Sequence, residues 1–207
     1  SAPVGPGTAT LHLAFTGGIV EKLRGLYRSV KDGERYAATQ FEAADARRAF
    51  PCFDEPEYKA RFALTLDVPA DATAIANGAV VAEEPAAPGR KVVRFAETPP
   101  ISSYLVAFLV GPFDATPPVE TTQGWPVRVW LPRGLADKGL YARDAHRAAV
   151  EWLADYTGIP YPYGKIDAIG LADFEAGAME NPGAITYRHT AIAADPAEAS
   201  TDTLKDI

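Results

Sequence analysis

Ten consecutive residues, Phe174-Glu175-Ala176-Gly177-Ala178-Met179-Glu180-Asn181-Pro182-Gly183, hold the side chains of this chain best suited to recognition chemistry. An apolar run, Ile166 to Leu171, precedes them and another, Ala184 to Tyr187, follows. Glu180 is therefore expected on or beside a strand, with glycine close by. Glycine lets a second backbone approach closely. An extended peptide can then add along the strand edge through main-chain hydrogen bonds, and a carboxylate at the end of the added strand can accept a charge-assisted bond from a free α-ammonium group. The same residues also fit an ordinary turn approach with a solvated glutamate, which is what most surface carboxylates are. The run alone leaves both readings open.

Machinery for reacting with a bound peptide is harder to find. The histidines are His12, His146 and His189. None has a second histidine at helical spacing, and no H-E-x-x-H occurs. A catalytic zinc needs three protein ligands, and no such set can be assembled. There is no G-x-S-x-G elbow, Cys52 lacks an identifiable base, and neither G-x-G-x-x-G nor a Walker pattern is present. The residues point to recognition without visible catalysis.

Composition narrows the class. With 207 residues and 47% of them hydrophobic, the chain can build a substantial core and is not expected to be disordered. Its 18 Pro and 17 Gly favour strands and turns over a helix bundle. A net charge of −7, with scattered Lys and Arg, argues against nucleic acid and anionic membrane surfaces as partners. A single cysteine excludes an intrachain disulfide and, with no visible signal peptide, suggests a cytoplasmic setting.

The elements that must position the run follow from the pattern. Strands are expected at Leu11 to Phe15, Leu23 to Val30 and Arg35 to Glu42, with Asp32-Gly33 as the hairpin turn between the last two. Gln40 and Glu42, two apart, then share a face. Ala43 to Phe50 reads as a short helical patch ended by Pro51. Further strands are expected at Arg61 to Val68, Thr73 to Ala76, Ala79 to Glu83, Lys91 to Phe95 and Tyr104 to Val110, with Asn77-Gly78 and Pro88-Gly89 as turns. This spacing suggests a β-sandwich or a pair of curved sheets. Thr116-Pro117-Pro118 reads as a boundary between a β-rich domain, 1–117, and an α+β unit, 118–207. In the second unit, Val127 to Leu131 is a strand. Asp137 to Tyr156 is a helix with an apolar stripe at Tyr141, Ala145, Ala148, Ala149, Trp152 and Tyr156, closed by Gly158. Ala194 to Ile207 reads as the start of another helix.

Six blocks in order resemble the aminopeptidase N family of zinc metallopeptidases: Thr39 to Pro56 (TQFEAADARRAFPCFDEP), Lys59-Ala60-Arg61-Phe62, Asn77-Gly78, Thr98 to Leu105 (TPPISSYL), Tyr161 to Asp167 (YPYGKID) and Gly177-Ala178-Met179-Glu180-Asn181 (GAMEN). The resemblance runs from about Leu11 to the end. It implies a saddle of β-strands followed by the opening of a thermolysin-like catalytic domain. It also implies removal of N-terminal residues from peptides, with Glu180 and Glu42 anchoring the substrate amine and Gln40 bordering the site. Gly177 and Ala178 are implied to bond the substrate backbone, Met179 to touch its first side chain, and Asn181 to complete the motif.

The resemblance further implies an internal segment, inactive by itself. The family's first strands would precede Leu11, and the H-E-x-x-H helix, the general base and the transition-state tyrosine would follow Ile207. Zinc would then belong to the whole enzyme and not to this chain. A sheet lacking strands exposes edges and invites self-association. A non-catalytic relative keeping the fold for binding, or an unrelated β-rich interaction module, are the alternatives. An intact pair of acids argues against a mere scaffold.

Overall fold

A computed structural model describes residues 5–207. The hairpin marked by Asp-Gly forms as expected. Strands β1 (Gly25–Lys31) and β2 (Glu34–Gln40) pair antiparallel from Lys31 opposite Glu34 to Gly25 opposite Gln40. Asp32 (φ 51°) and Gly33 (φ 83°) supply the two left-handed positions that a two-residue turn of this hand requires.

Short strands follow at β3 (Thr65–Pro69), β4 (Thr73–Ala76), β5 (Val80–Pro85), β6 (Arg90–Phe95) and β7 (Phe108–Gly111). Four of the strands form a sheet in the order β1-β2-β7-β4, and β3-β6-β5 form a second. The remainder is β8 (Phe113–Ala115), β9 (Val119–Glu120), β10 (Pro126–Pro132), α1 (Leu140–Thr157), β11 (Ile166–Leu171), β12 (Ala178–Met179), β13 (Ala184–Arg188) and α2 (Thr201–Lys205). These strands build a six-stranded sheet in the order β12-β13-β11-β10-β8, with β9 also on β10. β10 and β11 run parallel around α1, and β11 and β13 are parallel too. β11 is buried along its whole length, as a strand covered on both faces must be. Sheet membership changes at Pro112, since β8 already pairs with β10. The fold is mainly β with an α+β part.

The four-stranded sheet is sandwiched, and period-two alternation decides which residue faces which layer. Ile75 and Leu109 point toward Ile169, Leu171 and Met179 of the six-stranded sheet and toward Phe174 in the loop between β11 and β12. Ala76, with Ala74, Phe108 and Val110, packs instead on Val68, Val93 and Phe95 of the three-stranded sheet. One apolar core thus joins the strand bearing Gln40 to the loop and strand bearing Phe174 and Met179.

Several expectations are corrected. Leu11 to Phe15 forms no strand. Its alternation is real, but no neighbouring strand pairs with it, and Leu11 is left 78% exposed. Arg61 to Leu64 is irregular, joined to residues 95–98 by the backbone bonds Phe95 N–H to Leu64 O and Thr98 N–H to Phe62 O and by Phe62 N–H to the Thr98 hydroxyl, and β3 starts at Thr65. Tyr104 lies in a 3-10 turn, Ser103–Leu105, and β7 starts only at Phe108. Ala43 to Phe50 contains a single 3-10 turn, Ala46–Arg48. Helix α1 forms and ends at Gly158 (φ 68°), the left-handed cap. Its stripe points the other way, however. Ala142 seats on Val129, Leu131, Ala168 and Ile192, while Trp152 (62% exposed) and Tyr156 (76%) stack on each other at the surface, rings 8° apart. No helix among the described residues is long and apolar enough to cross a membrane.

The segment after β2 is pinned by Asp54, whose side chain is buried. Its carboxylate accepts from the Arg47 N–H (3.0 Å), Arg47 Nε (3.1 Å) and the Ser103 hydroxyl (2.7 Å). Burial pushes the carboxyl pKa up, but these three donors and the Arg47 charge outweigh it, and the net shift is downward. A folded-state pKa below the unfolded one stabilises the fold above the unfolded value, 3.8, and that contribution is lost as pH falls through the folded value. Denaturant unfolding followed from neutral pH down through the carboxylate range is therefore expected to show a smaller acid loss of stability in Asp54→Asn than in the parent. An identical pH slope would contradict this.

Candidate functional site

Phe41 fixes the end of β2. It is buried, edge-on to Phe50 and Phe108 at 5.8 and 6.2 Å. Its neighbours Gln40 and Glu42 point the other way, into a cleft of about 400 Å³ lined by Leu23, Arg24, Ala43 and, from the loop between β11 and β12, Phe174, Glu175 and Ala176. Gln40 Oε1 is buried and has no hydrogen-bond partner. Gln40 lines the cleft, and a buried acceptor left empty costs about 1–3 kcal/mol, a penalty that a donor brought to this carboxamide would relieve. Arg24 and Glu175 face each other across the rim at 3.6 Å, both well exposed. Such a surface pair contributes about 0–1 kcal/mol.

The six-stranded sheet reaches this cleft through the loop between β11 and β12. Asp173 ties the loop to β1. It accepts from the Ser29 hydroxyl (3.0 Å) and the Val30 N–H (2.8 Å), its own N–H donates to Ser29 Oγ, and its carbonyl accepts from Tyr27. Arg188 holds the same loop from the other side by donating to the carbonyls of Phe174 and Glu175. Strand β12 is the free edge of its sheet. The Arg188 N–H donates to the Gly177 carbonyl at 3.0 Å, with Ala178 opposite Tyr187 and Met179 opposite Thr186. Antiparallel ladders alternate. The peptide groups of Gly177 and Met179 therefore face β13, and those of Ala178 face the open edge.

The side chains alternate as well. Met179 is buried in the shared core with Phe174, while Ala178 and Glu180 are exposed. Glu180 follows directly after β12 and is not among the residues lining the cleft. Asn181 is buried, its amide donating to the Thr186 hydroxyl at 3.2 Å. Among the described residues neither Glu42 nor Glu180 has an ion-pair partner, which leaves both carboxylates available.

The turn after Glu180 is held from several directions. Gly183 has φ 72°, and a Cβ there would lie 2.3 Å from the Asn77 carbonyl oxygen, so glycine is required twice over. The Gly183 N–H donates to the Tyr161 hydroxyl at 2.9 Å, and burial pushes that phenol up to about 12. Lys165 donates to the Gly183 carbonyl and to Asp167, the latter at 2.6 Å. Asn77, 3% exposed, donates to the carbonyls of Leu105 and Pro182, both at 2.9 Å. Asp173, Asn77 and Arg188 escape a reading of the sequence. Asn77-Gly78 reads as a turn and forms a bend between β4 and β5, and the Asn77 side chain reaches Pro182, 105 positions away.

The described residues do not fit a zinc centre. Among them no three His, Cys, Asp or Glu side chains come together to hold a metal ion. His146 is engaged on both ring nitrogens, Nδ1 with the Ala142 carbonyl at 2.7 Å and Nε2 with the Tyr187 hydroxyl at 2.8 Å. A carbonyl only accepts, so Nδ1 carries the proton, and burial holds the ring pKa below its ordinary value despite that bond. Nδ1 of His189 contacts the Leu171 carbonyl at 3.2 Å.

Comparison with known proteins agrees along the chain. Residues 2–105 match the Peptidase M1 N-terminal domain and residues 141–207 the Peptidase family M1 domain. Aminopeptidase M1-B of Oryza sativa subsp. japonica is 45% identical over 93% of the chain and 22% of its own length. The puromycin-sensitive aminopeptidase of Caenorhabditis elegans is 44% identical over 95% of the chain and 21% of its own. Aminopeptidase N of Acetobacter pasteurianus is 37% identical over 94% of the chain and 56% of its own. The chain thus spans about a fifth of the length of the first two relatives. From the paired domain matches, the chain belongs to peptidase family M1.

Proposed function

We propose that this chain is the amine-recognition part of a zinc aminopeptidase that removes N-terminal residues from peptides. The observation that carries the reading is the orphaned, buried Gln40 Oε1 in a cleft shared with Glu42 and the loop leading to Glu180. An α-ammonium has three N–H donors. Gln40, Glu42 and Glu180 offer three acceptors, two of them charged and without ion-pair partners. The substrate backbone adds along the open edge of β12, using the outward peptide groups of Ala178 with Gly177 beside it. Met179, from beneath that edge, shapes the floor under the substrate's first residue, and Asn181 holds the turn that follows. The β-rich domain ends at residue 117 in this proposal, and the catalytic domain begins at 118. Zinc is proposed for the whole protein, with ligands outside the described residues.

The test uses the full-length protein with an amino-acid arylamide and its N-acetyl counterpart. Two charge-assisted bonds at about 1.5–3 kcal/mol each predict a preference for the free amine of roughly 10²–10⁴-fold. Equal rates on both, or no hydrolysis of either, would contradict the proposal.

A further inference from the structure

The two halves of the proposed amine site lie on different sheets, and one buried line of hydrogen bonds connects them. It starts at Thr39, the residue before Gln40, whose hydroxyl accepts from the Phe108 N–H at 3.1 Å. The next residue along, Ala107, donates its N–H to Asn77 Oδ1 at 2.7 Å. Asn77 Nδ2 spends one hydrogen on Leu105 and the other on Pro182, two residues beyond Glu180. Thr39, Ala107, Asn77 and Pro182 are all buried. The carboxamide thereby uses both of its donors and one of its two acceptor positions, and it ties the 105–107 segment to the turn at Pro182. The close seat of Gly183 against the Asn77 carbonyl makes the contact two-sided.

We propose that Asn77 is a positioning residue. Its carboxamide, with Thr39 at the far end of the line, holds the turn that carries Glu180 in register with the strand end that carries Gln40 and Glu42. The inference rests on the amine-recognition reading above. Neither residue touches the substrate. A loosened line leaves all three acceptors present but badly spaced for one ammonium, and misplacement by about 1 Å can cost as much as 10²-fold.

The experiment compares L-leucinol with 4-methyl-1-pentanol, the same molecule without its amine, as competitive inhibitors of the full-length protein. The ratio of their inhibition constants reads amine recognition alone. Asn77→Ala and Thr39→Val are expected to shrink that ratio by about tenfold or more while leaving binding of the des-amino alcohol unchanged. Thr39→Ser, which keeps the acceptor, is expected to retain the parent ratio. Thr39→Val preserves side-chain shape, so it reads the line even where Asn77→Ala lowers the yield of folded protein. Glu180→Ala is the control for the underlying reading and should shrink the ratio by about 10–10²-fold. If Glu180→Ala leaves the ratio intact, the amine-recognition reading itself fails. If Glu180→Ala shrinks it while Thr39→Val and folded Asn77→Ala match the parent, only the positioning role is overturned.

Discussion

Glu180→Ala in the full-length protein is expected to lower kcat/KM on amino-acid arylamides by about 10–10²-fold, the equivalent of one charge-assisted hydrogen bond at about 1.5–3 kcal/mol. Adding Glu42→Ala should bring the total to roughly 10²–10⁴-fold. The size follows from what the substitution removes. Glu180 is exposed and has no ion-pair partner among the described residues, so its loss leaves no buried group orphaned and should not unfold the protein. The deficit should therefore appear in steady-state kinetics with the unfolding transition unmoved. Near-parent kcat/KM, or a loss matched by a lower unfolding midpoint, would count against an anchoring role.

Lys165→Met should produce the largest loss of stability. Lys165 and Asp167 are both buried, with Asp167 only 4% exposed. Removing the ammonium strands a carboxylate in the core and takes a donor from the Gly183 carbonyl. Breaking a buried pair from one side costs about 3–5 kcal/mol, whereas replacing both partners by apolar groups is often neutral. Lys165→Met with Asp167→Leu should recover most of what Lys165→Met alone loses. The check is a double-mutant cycle by denaturant unfolding. Additive losses, with no recovery in the pair, would show that Asp167 is not stranded as described.

How much of this could be read from residues depends on whether the deciding interaction is local. Asp32-Gly33 announces the β1–β2 hairpin because positive φ at two adjacent positions is a property of those residues alone. Gly158 announces the end of α1 for the same reason. Alternation in Leu11 to Phe15 is equally local, yet a strand also needs a partner, and none is provided by the described residues. The α1 stripe misleads for a related cause. Trp152 and Tyr156 are the larger apolar residues, but Ala142 and His146 take the face against the sheet, so the aromatic pair is left outside.

At the site, Glu42, Gln40 and Glu180 were legible through the blocks that carry them. Their supports were not. Asp173 reads as one more acid beside the motif, and Asn77, although it falls in one of the six blocks, reads there only as half of a turn. Their roles depend on partners 144 and 105 positions away, Ser29 and Pro182 respectively, and no periodicity or spacing rule reaches that far.

A crystal structure of the full-length protein with L-leucinol bound decides whether the three acceptors meet on one amine. Its ammonium is expected at about 2.7–3.2 Å from Gln40 Oε1 and from the carboxylates of Glu42 and Glu180 together. An ammonium bound elsewhere, with Gln40 Oε1 still unpaired and the two carboxylates on separate surfaces, would contradict it.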